Sequence, residues 1–327
     1  MRFDLVIRGG RLVTASDSFV ADLGIAEGRI AAIGERLEGA EAIDARGLLV
    51  LPGGVDAHCH VDEPPYLKAR VADDFRSASR SAACGGTTTI IPFANQLPGR
   101  TLREAVEDYH RKAEGQALID YAFHLIVTDP GESLLGQELP ALIEAGYCSL
   151  KVFMCYDGFS LNDRQMLEVF AVAKRHGGLV MVHAENGHCI HYLANRLEAA
   201  GRTGLDSHAH AAPAVVEREA THRAIALAET VGTRVLLVHV SAAEAMEQIA
   251  WAQARGLPVL AETCPQYLTI TADELKRPGW EAARYLFSPP PRDAANAEAL
   301  WRGLANGTFQ LLSSDHSPYS LDESGKK

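Results

Sequence analysis

The residues of this chain that could carry chemistry stand far apart in the sequence: His58 and His60, Lys151, His183, His239 and Asp315. Four neutral imidazoles and a carboxylate suit zinc or a similar first-row metal. In His58-Cys59-His60, strand alternation turns both rings to one side, where they can grip one ion, and sends Cys59 into the core. Lys151 lies in the apolar stretch Cys148-Ser149-Leu150-Lys151-Val152-Phe153-Met154. Burial there would drive its ammonium towards the neutral amine. A neutral amine adds CO2 to give a carbamate, whose two oxygens can bridge two metals. The simpler alternative is a lysine that snorkels or pairs with a carboxylate. An H-x-H pair is not specific by itself. His208-Ala209-His210 repeats it in an Ala- and Gly-rich loop, at no strand end, and reads as solvated surface. His188 and His191 read as surface or packing residues on a helix, and His110, His124, His176 and His222 have no partner pattern.

The elements that must position these groups are legible as punctuation and periodicity. Before Pro52 the chain reads as a small β-rich module, with strands over 3–8, 10–13, 22–27, 29–33 and 42–44 and turns at Gly9-Gly10, Glu27-Gly28 and Arg46-Gly47. Beyond it, apolar runs at 48–55, 87–93, 121–128, 148–154, 178–182, 234–240, 258–262 and 309–313 alternate with helical periodicity at 73–84, 102–114, 134–145, 163–175, 215–231, 242–255 and 294–305. Short apolar runs between amphipathic helices suit parallel strands buried on both faces. The pattern predicts a (β/α)8 barrel over 53–327, preceded by the β-rich module of 1–52. A doubly wound open sheet is the rival, but no G-x-G-x-x-G follows any strand. No eighth helix is visible after the last strand, which predicts a further C-terminal portion that closes the barrel and pairs with the N-terminal strands. The candidate residues fall at or near the C-terminal ends of these strands, where barrel active sites assemble.

Composition narrows the function further. Of 327 residues, 47% are hydrophobic, enough for a sizeable core without staples. Lys and Arg total 31 against 42 Asp and Glu, a net charge of −11, which argues against a nucleic-acid partner. No apolar run of about 18 residues is present, and the start of the chain does not read as a signal peptide, so no membrane role is expected. Six cysteines without a C-x-x-C read as buried thiols in a reducing cytoplasm.

The motif Pro52-Gly53-Gly54-Val55-Asp56-Ala57-His58-Cys59-His60 resembles the P-G-x-x-D-x-H-x-H of the amidohydrolase superfamily. Gly85-Gly86-Thr87-Thr88, the Lys151 stretch, His183-Ala184-Glu185-Asn186, Val238-His239-Val240-Ser241, Glu262-Thr263-Cys264-Pro265-Gln266-Tyr267, Phe287-Ser288-Pro289-Pro290 and Ser314-Asp315-His316 extend the resemblance along the chain. As an ordered set they are similar to the dihydropyrimidinase/hydantoinase branch. The resemblance implies a barrel with a β-sandwich built from both chain ends, and two divalent ions, usually zinc. One ion would take His58, His60, N6-carboxylated Lys151 and Asp315; the other would take Lys151, His183 and His239. A hydroxide between the two would attack a ring carbonyl of a dihydropyrimidine or 5-substituted hydantoin, giving an N-carbamoyl amino acid. Asp315 would act as base and then acid, Tyr156 would stabilise the oxyanion, and Ser288 would hold the cyclic amide mainly through its backbone. A homodimer or homotetramer is also implied.

The segment after the first histidine pair departs from that branch, which commonly has an apolar M-P-F type stretch. Here it reads Asp62-Glu63-Pro64-Pro65-Tyr66-Leu67-Lys68. The resemblance puts this loop near the exocyclic group, so Glu63 would select a polar or cationic substituent, or else face solvent. Glu63-Pro64 is also similar to the E-P of dihydroorotases and allantoinases, the alternative cyclic amidohydrolases. Dihydroorotases, however, carry an arginine where this chain has Asp62. A non-catalytic relative of the branch would have lost ligand positions, and all six are filled here.

Overall fold

A computed structural model of the chain describes residues 2–64 and 71–320. Pro65, Tyr66, Leu67 and Lys68 of the loop discussed above lie outside these. The chain divides into two compact units, Met1–Gly54 and Val55–Lys327.

The first unit is a five-stranded sheet of β1 (Phe3–Val13), β2 (Ser18–Ala26), β3 (Arg29–Gly34), β4 (Gly39–Asp44) and β5 (Leu49–Val50). The order is β3-β2-β1-β4, with β5 also pairing β1. The two expected strands 3–8 and 10–13 are one strand, and the register against β2 slips between Ile7 and Gly10. A Gly-Gly pair thus marks a bulge here and not a turn. Phe3, Val6, Leu12 and Leu23 are buried. A Cβ on Gly24 would sit 2.9 Å from the Phe3 ring, so glycine is what lets that ring lie across β2.

The second unit is the expected barrel. Its strands are β6 (Gly54–Cys59), β7 (Thr87–Asn95), β8 (Asp120–Tyr121), β9 (His124–Ile126), β10 (Ser149–Phe153), β11 (Leu179–His183), β12 (Val235–Leu237), β13 (Val259–Thr263) and β14 (Leu311–Leu312). Hydrogen-bonded neighbours run β14-β13-β12-β11-β10-β9-β7-β6, with β8 beside β7. Beyond β14 the chain returns to the first strand: Cys59 bridges His316 in parallel, and His60 N–H donates to His316 O at 2.6 Å. The helices are α1 (Phe75–Cys84), α2 (Leu102–Ala113), α3 (Leu139–Glu144), α4 (Asp163–His176), α5 (Gly187–Ala199), α6 (Ser207–Ala211), α7 (Ala214–Val231), α8 (Ala243–Ala254), α9 (Pro265–Thr269) and α10 (Ala294–Ala305). Among the described residues no helix follows β14. Capping boxes at Asp74, Thr101 and Asn162 start α1, α2 and α4, and left-handed Gly177 and Gly232 end α4 and α7.

Period-two alternation sorts each barrel strand into two cores. Leu150, Val152, Val180, Val182, Val235 and Leu237 join the large cluster. Phe93, Ile126, Phe153, Met181, Leu236 and Val238 form a separate inner one. Lys151 and His183 share the parity of Phe153 and Met181 and so point into the barrel.

Some expectations fail for identifiable reasons. The run 48–55 is not the first barrel strand: Leu49 and Val50 pair with β1, and the barrel strand starts at Gly54. An apolar run shows that a strand exists but not which sheet takes it. The helix expected to carry His188 and His191 is α5, which buries no residue. Three cysteines, Cys84, Cys148 and Cys189, are exposed, against the expectation of buried thiols; Cys59, Cys155 and Cys264 are buried.

Candidate active site

Four of the six candidate ligands are almost wholly buried: His58 is 0% exposed, Lys151 1%, His183 2% and His239 2%. His60 and Asp315 keep about a tenth of their side chains open, at 13% and 11%. His58 Nε2 lies 3.2 Å and His60 Nε2 3.4 Å from the same Asp315 Oδ1. The His58 and His239 ring centroids are 5.5 Å apart, and those of His183 and His239 are 4.4 Å apart. Lys151 Nζ sits 5.1 Å from the ring centroids of both Phe93 and Phe153. Phe93 also packs on His58 and His60, and Phe153 on His183. These contacts place all six residues beside the inner core.

Three of the four histidines are oriented by carboxylates. His58 Nδ1–H donates to Glu262 Oε1 at 2.7 Å, His60 Nδ1–H to Glu63 Oε1 at 2.7 Å, and His183 Nε2–H to Glu185 Oε2 at 2.8 Å. Each bond leaves the other ring nitrogen as the donor atom available to a cation. His58 Nε2 has no hydrogen-bond partner although it is fully buried, and the same holds for His239 Nδ1 and Glu262 Oε2. Buried polar atoms left without a partner are costly unless a ligand such as a cation completes them. The donor atoms of His58, His60 and Asp315 lie within 4.8 Å of one another. Nitrogen and oxygen donors of this kind fit a first-row divalent metal.

Electrostatics agree with the geometry. Burial disfavours a charged His60, but Glu63 and Asp315 outweigh it and lift its pKa to about 9. Burial also opposes charge on His58, and Glu262 and Asp315 overcome it. This corner of the site thus attracts positive charge. Asp315 is desolvated, yet His58 and His60 hold it well below the usual carboxylate range. Burial lowers His183, and burial with nearby His183 and Lys151 lowers His239 far more. Burial brings Lys151 down to about 8, only partly offset by Asp315 and Glu262. Burial thus moves it towards the neutral amine compared with an ordinary lysine.

The loops that deliver these groups are unusual. Asp62, Tyr156, His239 and Asp315 all have positive φ, at 50°, 73°, 41° and 47°. Such conformations cost of order 1–3 kcal/mol each and cluster where function needs them. His239 is not the end of its strand, as its position suggested: β12 stops at Leu237 and the left-handed turn carries the ring inward.

Comparison with known proteins gives this geometry a context. Residues 49–325 match the amidohydrolase family. The chain belongs to that family. The amidohydrolase chain is 45% identical over 330 residues to the D-hydantoinase of Streptomyces coelicolor, covering 98% of its own length and 70% of the relative's. Against the D-hydantoinase of Geobacillus stearothermophilus it is 46% identical over 326 residues, covering 98% and 68%. The solved D-hydantoinase from Bacillus sp. AR9 superposes with a TM-score of 0.94 at 43% identity, covering 98% of this chain and 70% of that one. The dihydropyrimidinase from Brevibacillus agri gives 0.94 at 41% identity, over 97% and 69%. Within the family it falls in the hydantoinase/dihydropyrimidinase branch.

The remaining amidohydrolase residues of interest fall into place around this centre. Tyr156 packs on His183 with ring centroids 5.0 Å apart, and Ser288 lies near its hydroxyl. Desolvation of its hydroxyl, with Cys155 and Glu185 nearby, raises its pKa well above the ordinary tyrosine value. Glu63, expected at the substrate's exocyclic group or in solvent, is 10% exposed and bonded to His60. His208 corrects the reading of its H-x-H as solvated surface: it is partly buried, and its Nε2–H donates to Phe287 O at 2.8 Å, with Ser288 Oγ at 3.5 Å. His210 is exposed as expected, as are His188 and His191. His124, which had no partner pattern, is buried; its Nε2–H donates to Ala57 O at 2.9 Å while Ser149 Oγ–H donates to its Nδ1. Glu262 and Glu185 also belong to the site, as partners of His58 and His183. The signal for Glu185 was its place two residues after His183; Glu262 had only its strand-end position.

Proposed function

We propose that this chain hydrolyses the ring amide of 5-substituted hydantoins or dihydropyrimidines, giving N-carbamoyl amino acids. The observation that carries the reading is the convergence of His58 Nε2 and His60 Nε2 on Asp315 Oδ1, in a chain 45% identical to a D-hydantoinase. His58, His60, Lys151 and Asp315 would hold one divalent ion, and Lys151, His183 and His239 the other, with Lys151 carboxylated and zinc the metal. When bound, the ions would supply Lewis acidity and a water activated at neutral pH.

The chain's own groups account for the rest of the reaction. Asp315, held ionised by His58 and His60, accepts the proton of the attacking water. The new C–O bond forms first and puts negative charge on the carbonyl oxygen; the ring C–N bond then breaks as Asp315 returns the proton to the departing nitrogen. Tyr156 keeps its proton and so can donate to the carbonyl oxygen as negative charge develops there. Ser288, beside Tyr156, presents its backbone to the cyclic amide, and His208 steadies that peptide through Phe287 O. A homodimer or homotetramer in the cytoplasm belongs to the same reading.

The test is a panel of dihydrouracil, hydantoin, 5-substituted hydantoins, allantoin and dihydroorotate, with zinc-loaded protein and products identified by mass spectrometry. Ring opening of dihydrouracil and 5-substituted hydantoins is expected. Turnover confined to allantoin or dihydroorotate would overturn the substrate assignment.

A further inference from the structure

Glu63 occupies an unusual place. The chain leaves β6 at Cys59, and Val61 is buried at 1% exposure. Asp62 then takes a left-handed conformation, φ 50°, which Asp tolerates better than most residues. That turn folds Glu63 back onto the residue three before it, and its Oε1 meets His60 Nδ1 at 2.7 Å. The turn is pinned from outside: Asp62 N–H donates to Asp73 O at 3.0 Å, and Lys112 Nζ donates to Asp62 O at 2.7 Å. The arrangement parallels Glu262 on His58, which is reached from β13. One carboxylate comes from remote sequence and the other from an adjacent turn, yet both leave Nε2 facing Asp315.

We infer that Glu63 is a positioning residue for the metal centre: it fixes the tautomer and ring orientation of His60 through Nδ1 and thereby raises the affinity of that ligand for a divalent cation. The inference rests on His60 being a ligand, as proposed above. It assigns Glu63 to the metal and not to the substrate's exocyclic group.

The test compares the full chain with Glu63→Gln and Glu63→Met. Zinc affinity is measured by chelator competition on metal-free protein, and the melting temperature is measured without metal. Glu63→Met should weaken zinc binding by about 10–100-fold. Glu63→Gln, whose amide oxygen still accepts from Nδ1–H, should recover part of the loss. The metal-free melting temperatures should not follow that order. Equal zinc affinity in all three proteins would overturn the inference, as would a loss that merely tracks metal-free stability. A changed substituent preference at equal affinity would return Glu63 to the substrate. Because zinc affinity is read without substrate, the result stands or falls separately from the ring-opening panel.

Discussion

Lys151 is almost wholly buried, at 1% exposure. Its Nζ lies over two phenyl rings, and burial holds its pKa at about 8. In the proposed centre it is the one side chain that would serve both ions. Lys151→Ala should therefore lose bound zinc, measured by elemental analysis of the purified protein, and turnover should fall ~10³-fold. Full turnover with both metals retained would remove it from the mechanism. His124 behaves differently because its two hydrogen bonds fix it as a neutral ring. Burial lowers its pKa from 6.5 to about 4. Below pH 6.5 the unfolded chain takes up a proton that the folded chain refuses until about pH 4. The sign is therefore destabilisation as pH falls across that window, about 1.4 kcal/mol per pH unit. His124→Gln should remove about one proton from the pH dependence of urea unfolding between pH 6.5 and 4. An unchanged slope would place the burial penalty elsewhere.

At the scale of elements, α8 shows how the fold compensates for a sequence that does not cap its own helix. Its N-cap, Ala242, has no side chain to offer. Glu217 on α7 accepts from Ser241 N at 2.8 Å and Ala242 N at 3.3 Å, and Asn296 Oδ1 on α10 accepts from Ala243 N at 2.8 Å. Arg292 completes the cluster, with its NH2 3.0 Å from Glu217 Oε2 and its Nε 3.0 Å from Ser241 Oγ. This buried pair ties α7, the turn after His239 and the segment before α10 together. Glu217→Ala should cost about 3–5 kcal/mol in chemical denaturation, because it strands a buried guanidinium. Glu217→Leu with Arg292→Met should cost less than the single change, since no charge is left unpaired. The sequence made α8 visible through its apolar stripe. Its capping was not visible, because the acceptors come from other helices. By contrast α1, α2 and α4 carry their own boxes, and their expected starts lie within two residues of the observed ones.

For the whole molecule, metal and stability are linked. The carboxylates around His58 and His60 draw a positive charge, and protons compete with metal for it. Zinc at 100 times its dissociation constant should add about 2.7 kcal/mol to stability and raise the melting temperature, with chelator reversing the rise. Because His60 must lose a proton whose pKa is about 9, zinc affinity should fall as pH drops below that value. Isothermal titration at several pH values checks the sign; affinity independent of pH would remove His60 from the ligand set. No helix of the described residues is long and apolar enough to cross a membrane.

The chain's residue order alone determined the alternation of strands and helices, the barrel, and the candidates His58, His60, Lys151, His183, His239 and Asp315. Those features are written locally, in periods of two and 3.6 and in turn residues. Tertiary structure decided which neighbour each candidate meets. Glu262 reaches His58 from a point 204 residues away, and Ser314 reaches Asp56 from 258. Glu63 is near His60 in sequence, yet only the left-handed turn at Asp62 points it back. His208 resembles surface in a loop-like stretch until the fold brings Phe287 O to it. Contacts across a closed barrel depend on how strands from both ends of the chain register. Local residue preference carries no record of that.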